Sequence, residues 1–93
     1  MFSTNEYFDG KVKSIAFENE SGKYTTGVMA SGEYEFGTSE NEEMSVVSGT
    51  LSVLFAGETE WKDYPAGTSF HVAKDSKFGV KAIGDTAYCC RYY

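Results

Sequence analysis

The segment Glu42-Glu43-Met44-Ser45-Val46-Val47-Ser48-Gly49-Thr50-Leu51-Ser52-Val53-Leu54-Phe55 decides the fold class. Two apolar runs, residues 44–48 and 50–55, meet at a Ser-Gly pair. Their Val, Leu, Met and Phe side chains suit a pleated, half-buried surface, and Ser48-Gly49 between them is the clearest hairpin signal in the chain. The same pattern extends in both directions. Residues 11–17 alternate, with Val12 between Lys11 and Lys13, and further strands are expected over 25–29, 32–37, 69–73, 77–83 and 86–92. Ten glycines cut the chain into short pieces, and Pro65 with Ala66 and Gly67 reads as a tight turn rather than strand interior. No stretch holds a helical apolar period for three turns. The best helix candidate, residues 39–43, has capping-box spacing between Ser39 and Glu42 and is at most one turn long. With no linker, repeat or low-complexity tract, residues 1–93 are expected to form one all-β domain, a small sandwich or barrel with little or no helix.

Composition narrows the function. The 93 residues carry 14 acidic and 8 basic side chains, a net charge of -6. Sequence-independent nucleic-acid binding rests on clustered Lys and Arg, so nucleic acid is a poor partner for this chain. No apolar run approaches the ~20 residues that span a bilayer, and the N-terminus lacks the basic and apolar regions of a signal peptide. A soluble cytoplasmic protein that does not engage membranes is expected. The two cysteines, Cys89 and Cys90, are adjacent. In a strand they point to opposite faces, so they neither staple distant segments nor converge on one metal, and two reduced thiols fit a reducing compartment. The single histidine, His71, is a weak start for a catalytic metal centre, which usually takes three protein ligands. Seven Phe, seven Tyr and one Trp offer more aromatic surface than a small barrel interior obviously needs. A homodimer with an aromatic-rich interface is an expected destination for the remainder.

Glu42 and Gly49 stand seven residues apart, and Pro65 and Gly67 frame a Pro-any-Gly triplet. In these spacings the chain resembles the cupins, small jelly-roll-like β-barrels with two glycine-bearing motifs. A closer resemblance covers essentially the whole chain. It is carried by Asn5-Glu6-Tyr7-Phe8, Gly10-Lys11-Val12-Lys13-Ser14-Ile15, Gly27-Val28-Met29, Gly32-Glu33-Tyr34, Glu42-Glu43-Met44, Ser48-Gly49 before Leu51, Ala66-Gly67 and Cys90-Arg91-Tyr92. In these segments the sequence is similar to the bacterial pyrimidine/purine nucleoside phosphorylase family of the cupin superfamily. The resemblance implies a cupin-type barrel, dimerisation, and broad phosphorolysis of purine and pyrimidine nucleosides to free base and pentose 1-phosphate, a pentosyl transfer. Inorganic phosphate would be the co-substrate, with no further cofactor.

Metal-binding cupins place two histidines before the motif glutamate and a third after the second-motif glycine. Here the first two positions fall among Glu35, Phe36, Gly37 and Thr38. The third falls on Phe70, and His71 comes one place late, which in a strand turns it to the other face. Only Glu42 remains of the ligand set, so a metal-independent reaction is expected.

Phosphorolysis needs donors for a phosphate dianion and a means to stabilise an oxocarbenium-like sugar. Arg91, the only arginine, is the candidate phosphate clamp, set against an ordinary ion pair with one of the 14 acids. Glu42, at the former ligand position, is the candidate that binds ribose or stabilises developing charge. Lys13 is a candidate phosphate or sugar ligand, ahead of Lys11, and Glu43 is a lesser acid candidate that faces oppositely to Glu42. Phe36, Thr38 and Phe70 are expected pocket residues, the two Phe set against a plain core role, and Tyr92 is a candidate sugar or phosphate ligand. Tyr7 is assigned either to a site or to a dimer contact. His71 is disfavoured as a general acid, and Trp61 reads as packing. The competing function is a non-catalytic cupin that binds a sugar, nucleoside or small anion without turnover. A metal-dependent cupin enzyme is disfavoured by the missing histidines, and a purely structural module explains none of the motif matches.

Overall fold

A computed structural model describes residues 2–93. They form eight strands: β1 (Ser3–Tyr7), β2 (Val12–Asn19), β3 (Gly22–Met29), β4 (Gly32–Gly37), β5 (Glu42–Leu54), β6 (Lys62–Pro65), β7 (Ser69–Val72) and β8 (Lys77–Tyr92). All pairings are antiparallel. The expected helical turn over 39–43 is absent, because residues 39–41 form a bend and β5 begins at Glu42.

The two long strands organise everything else. β5 and β8 pair along nearly their whole length, from Glu42 opposite Tyr92 to Leu54 opposite Gly79. The N-terminal half of β5 also pairs with β7 and its C-terminal half with β6. Likewise β8 pairs first with β4 and then with β3, which continues to β2 and β1. Each long strand therefore belongs to two groups of neighbours, and their inward side chains meet in one core. Val12 and Met29 from the β2–β3 side pack in that core with Val53, Val80 and Tyr34 from the other.

Ser48-Gly49 does not reverse the chain. The structure corrects the hairpin reading: residues 44–48 and 50–55 lie within or continue one strand, joined by a bulge between Val46 and Thr50. The physical reason is the partner strand. β8 offers a continuous edge to both runs, so the extra residue is absorbed as a kink in the ladder. The bulge also switches the inward parity of β5. Met44 and Val46 are buried before it, Leu51 and Val53 after it, while β8 buries even-numbered positions throughout, from Phe78 to Cys90. Without that one-residue shift, half of β5 would turn its apolar side chains to solvent.

Gly49 makes this corner possible. Its φ is +93°, and a Cβ there would lie 2.5 Å from Thr86 Oγ1 and 3.0 Å from the Asp85 carbonyl oxygen. Thr86 is fully buried, and its hydroxyl donates to the carbonyls of Thr50, at 3.3 Å, and Gly84, at 3.1 Å. Both strands are thus tied at the same bend.

The sequence did not expose two edge strands. β1 is joined to β2 by the turn Phe8–Lys11, closed by the Lys11 amide donating to the Phe8 carbonyl at 3.2 Å. Asp9-Gly10, a strong hairpin dipeptide, occupies its centre with φ of +57° and +82°. β6 is short and ends on Pro65, which an edge strand tolerates. The following turn, with the Thr68 amide donating to the Pro65 carbonyl, is where the sequence placed it.

Gly49→Ala is expected to destabilise the protein by about 2–4 kcal/mol in urea titrations, combining a steric clash with a left-handed backbone. Gly57→Ala is the control. Gly57 has a φ of +78° but open space around it, so about 1 kcal/mol is expected there.

Candidate active site

Alternation along the long strands builds one cavity on the inner face. Tyr88, Cys90 and Tyr92 of β8 point inward at every second position, facing Glu42 and Met44 of β5 across the ladder. Ser14 of β2, Thr25 and Met29 of β3, and Phe36 and Phe78 from the β4–β8 pair complete the wall. Tyr7 and Phe8, from the end of β1 and the turn after it, close the rim. The space measures about 310 Å³, at the low end of the range typical of small-molecule sites.

One end is aromatic. Phe8 packs on Tyr34 with ring centroids 5.0 Å apart and meets Phe36 edge-on at 5.6 Å, and Phe36 in turn lies 5.8 Å from Phe78. The other end is polar. Tyr92 and Thr25 share a hydroxyl–hydroxyl bond of 3.0 Å, and the Cys90 thiol donates to Glu42 Oε1 at 3.5 Å.

Burial governs protonation here. It raises the Glu42 carboxyl above its ordinary value, assisted by the Glu40 charge and opposed by the Cys90 contact. Burial likewise pushes Tyr88 up to about 12 and raises Tyr92 and Cys90 further, Cys90 with help from the Glu42 charge. At neutral pH the two phenols and the thiol therefore remain protonated. The cavity offers several hydroxyl groups and one buried carboxyl, and no Lys or Arg lines it among the described residues.

The structure brings Glu42, Phe36 and Tyr92 together in this cavity and places the other sequence candidates elsewhere. Arg91 and Glu43 face away, on the outer side of the same strands. Arg91 Nε donates to Glu43 Oε1 at 3.1 Å, and its guanidinium lies 4.7 Å from the Tyr93 ring. Arg91 and Glu42 thus sit on opposite faces, because positions 90 and 92 of β8 are the inward ones. The ion-pair alternative describes Arg91 here, and Glu43 is its partner.

His71 joins that outer group, with Nδ1 2.9 Å from the Tyr93 hydroxyl and Nε2 3.7 Å from Glu43 Oε2. Lys13 is also outward and pairs with Glu6 at 3.2 Å across the β1–β2 ladder. Thr38 leaves the cavity too. Its hydroxyl donates to the Ala73 carbonyl at 2.7 Å and accepts the Ser76 amide at 3.0 Å, pinning a loop. Phe70 is core, 4.7 Å from the Tyr64 ring and 5.9 Å from Phe55.

Ser14, Thr25, Tyr88, Cys90 and Phe8 are the lining residues that the sequence reading missed. A signal existed for two of them: once Tyr92 is set inward, strand parity carries Cys90 and Tyr88 with it.

A family profile described as pyrimidine/purine nucleoside phosphorylase matches residues 2–92. The chain belongs to this family. Proteins named pyrimidine/purine nucleoside phosphorylase from Pseudomonas entomophila and Marinobacter nauticus are 58% and 54% identical to it over 92 residues. Each alignment covers 99% of this chain, and 98% and 99% of the respective relative. Among solved structures, a protein of unknown function from Vibrio parahaemolyticus superposes with a TM-score of 0.96 at 42% identity, covering 100% of this chain and 99% of that one. At 14% identity, a putative ethanolamine utilization protein from Salmonella typhimurium still superposes at a TM-score of 0.76, covering 100% and 94%, which speaks to the fold alone. A nucleoside phosphorylase acts on nucleosides and phosphate, and the aromatic-to-polar gradient of the cavity suits a base at one end and a sugar at the other.

Folding raises the Glu42 pKa above its unfolded value, so the native state retains a proton that the unfolded chain releases. Glu42 therefore costs stability increasingly as pH rises through its folded pKa, and the cost is relieved in acid. Glu42→Gln keeps an oxygen to accept from Cys90 and removes the charge. It is expected to raise the melting temperature at pH 7 by about 2–6 °C. The gain should shrink steadily as melts are repeated down to pH 4.

Proposed function

We propose that this protein is a metal-independent nucleoside phosphorylase of broad specificity, a pentosyltransferase whose nucleoside site is the inner cavity. In the reaction the C1′–N bond breaks and its electron pair leaves with the base, which takes up a proton. A phosphate oxygen forms the new C1′–O bond, giving pentose 1-phosphate.

The observation that carries the reading is the position of Glu42, the one carboxyl buried among hydroxyl groups in the cavity of a chain from this family. Its ionised form would stabilise the oxocarbenium-like charge at C1′, in surroundings where each charge acts more strongly than in water. Tyr92, Thr25, Ser14 and Tyr88 would supply hydrogen bonds to ribose and phosphate oxygens. Phe36 and its aromatic neighbours would contact the base through its π face, a mode indifferent to purine or pyrimidine. For metal independence, the support is that no group of three or more His, Cys, Asp or Glu is gathered for an ion among the described residues. Both cysteines are unbridged, which suits a cytoplasmic setting.

The proposed homodimer would use the outer face of β2 and β3. Ile15 and Val28 are exposed there and line a groove with Ala87, beside the Lys13–Glu6 pair. That pair balances charge locally, so two copies that each carry -6 repel least across this face. Val28→Glu is expected to shift sedimentation from dimer to monomer, and a wild-type monomer at every concentration would end this part of the proposal.

The deciding experiment incubates chelator-treated protein with uridine and adenosine, with and without phosphate, and follows base and pentose 1-phosphate by chromatography. Phosphate-dependent appearance of both products is expected. Base release without phosphate would mean a hydrolase, and binding without turnover would favour the non-catalytic reading. Glu42→Gln should lower kcat/KM by about a hundredfold or more. Arg91→Ala, which removes an outward-facing ion pair, should leave kcat/KM within about threefold. A collapse with Arg91→Ala in a folded protein would instead restore the phosphate clamp to that residue.

A further inference from the structure

The turn between β1 and β2 holds an anomaly that its own geometry does not require. Asp9 and Gly10 take the left-handed conformation demanded of the two central positions of such a turn, and Asp and Gly tolerate it. Phe8 precedes those positions, yet its φ is +55°. A bulky aromatic residue there is an outlier, because its Cβ crowds the backbone. Strain of this kind persists only where the surrounding structure fixes it, and it concentrates where a side chain must be held for a purpose.

The consequence is visible in where the ring lies. An extended Phe8 would continue β1 toward solvent. The left-handed residue instead turns the ring onto Tyr34 and Phe36 at the rim of the cavity. Core packing does not account for it, since 43% of Phe8 remains exposed. One face of the ring is spent on Tyr34 and Phe36, and the remainder stays open at the cavity lip. Burial therefore returns less than a full side chain's worth of stabilisation for a strained backbone.

We infer that Phe8 is the base-stacking residue of this site: its strained backbone presents the ring as one wall of a slot for a purine or pyrimidine base, with Phe36 behind it. This rests on the cavity being the nucleoside site. An aromatic wall without hydrogen-bonding groups grips any flat heterocycle and reads none of its edge atoms. Breadth of specificity then follows from a π contact, while the sugar and phosphate engage the polar end around Glu42, Thr25 and Tyr92.

The test uses Phe8→Asn, which tolerates the left-handed backbone, and Phe8→Leu, which keeps an apolar contact without a π face. Three quantities are measured in the full chain: stability in urea, KM and kcat for adenosine and uridine, and binding of free adenine by calorimetry. Both variants are expected to raise KM for both nucleosides by between about fivefold and a hundredfold, with kcat within about threefold of wild type. Adenine binding should weaken in parallel. Phe8→Asn should be at least as stable as wild type, because strain is relieved and little buried surface is lost.

A Phe8→Asn protein that is markedly less stable, with KM and adenine affinity unchanged, would make Phe8 a packing residue and overturn the inference. So would a Phe8→Leu protein that binds adenine as wild type does. If wild type turns over no nucleoside, the phosphorylase reading fails by itself. Adenine affinity still judges Phe8 in that event: binding lost in both variants supports the inference, and no binding by wild type refutes it.

Discussion

The β5–β8 ladder, with its single-residue bulge at Gly49, is the constraint on which the rest of the structure depends. Two strands that pair over nearly their whole length must both bend if one sheet is to close around a core. Inserting one residue into β5 bends the ladder and changes which of its side chains point inward. Glu42, Met44 and Val46 on one side of the bulge, and Leu51 and Val53 on the other, can then face the same interior. A glycine is required at the insertion because Thr86 and the Asp85 carbonyl occupy the space where a Cβ would stand. Thr86 in turn satisfies carbonyls of both bent strands. The cavity exists because this corner holds its walls in register.

Inside that cavity, charge is scarce and hydroxyl groups are plentiful. Excluding solvent leaves the phenols of Tyr88 and Tyr92 and the thiol of Cys90 protonated, and makes the Glu42 carboxylate costly to keep. A protein that retains a buried carboxyl at the expense of stability has placed it for chemistry or binding rather than for folding. The outer face carries the opposite arrangement. There Arg91, Glu43, His71 and Tyr93 neutralise one another in contact with solvent, and such half-exposed pairs contribute little to stability. Two rows of side chains on the same strands thus differ in function because alternate residues see different dielectrics.

Much of this was legible in the sequence. Short Val-, Tyr- and Phe-rich runs between glycines identify an all-β chain, and most of the strands lie where those runs predict them. Glu42 and Tyr92 could be set inward by pattern and resemblance, and the structure puts them opposite each other across the ladder. The failures have specific causes. Ser48-Gly49 looks like a hairpin because a turn and a bulge use the same residues, and only the partner strand distinguishes them. Thr38 and Phe70 were assigned by counting from motif positions, which ignores the hydrogen bonds and ring contacts that claim them. Arg91 drew attention as the only arginine, but chemical suitability carries no information about which face a residue occupies.

The sequence by itself determined the local chemistry: strand propensity, turn residues, the acidic charge balance, and a family signature spread from residue 5 to residue 92. Those are properties of near neighbours along the chain, so they can be read there. The tertiary structure alone decided which side chains share a space. Inward parity along β5 depends on a bulge whose need arises from β8, and the Phe8 ring reaches the cavity through a backbone conformation that its residue type disfavours. Both are set by contacts between segments distant in sequence, and a linear pattern cannot record them.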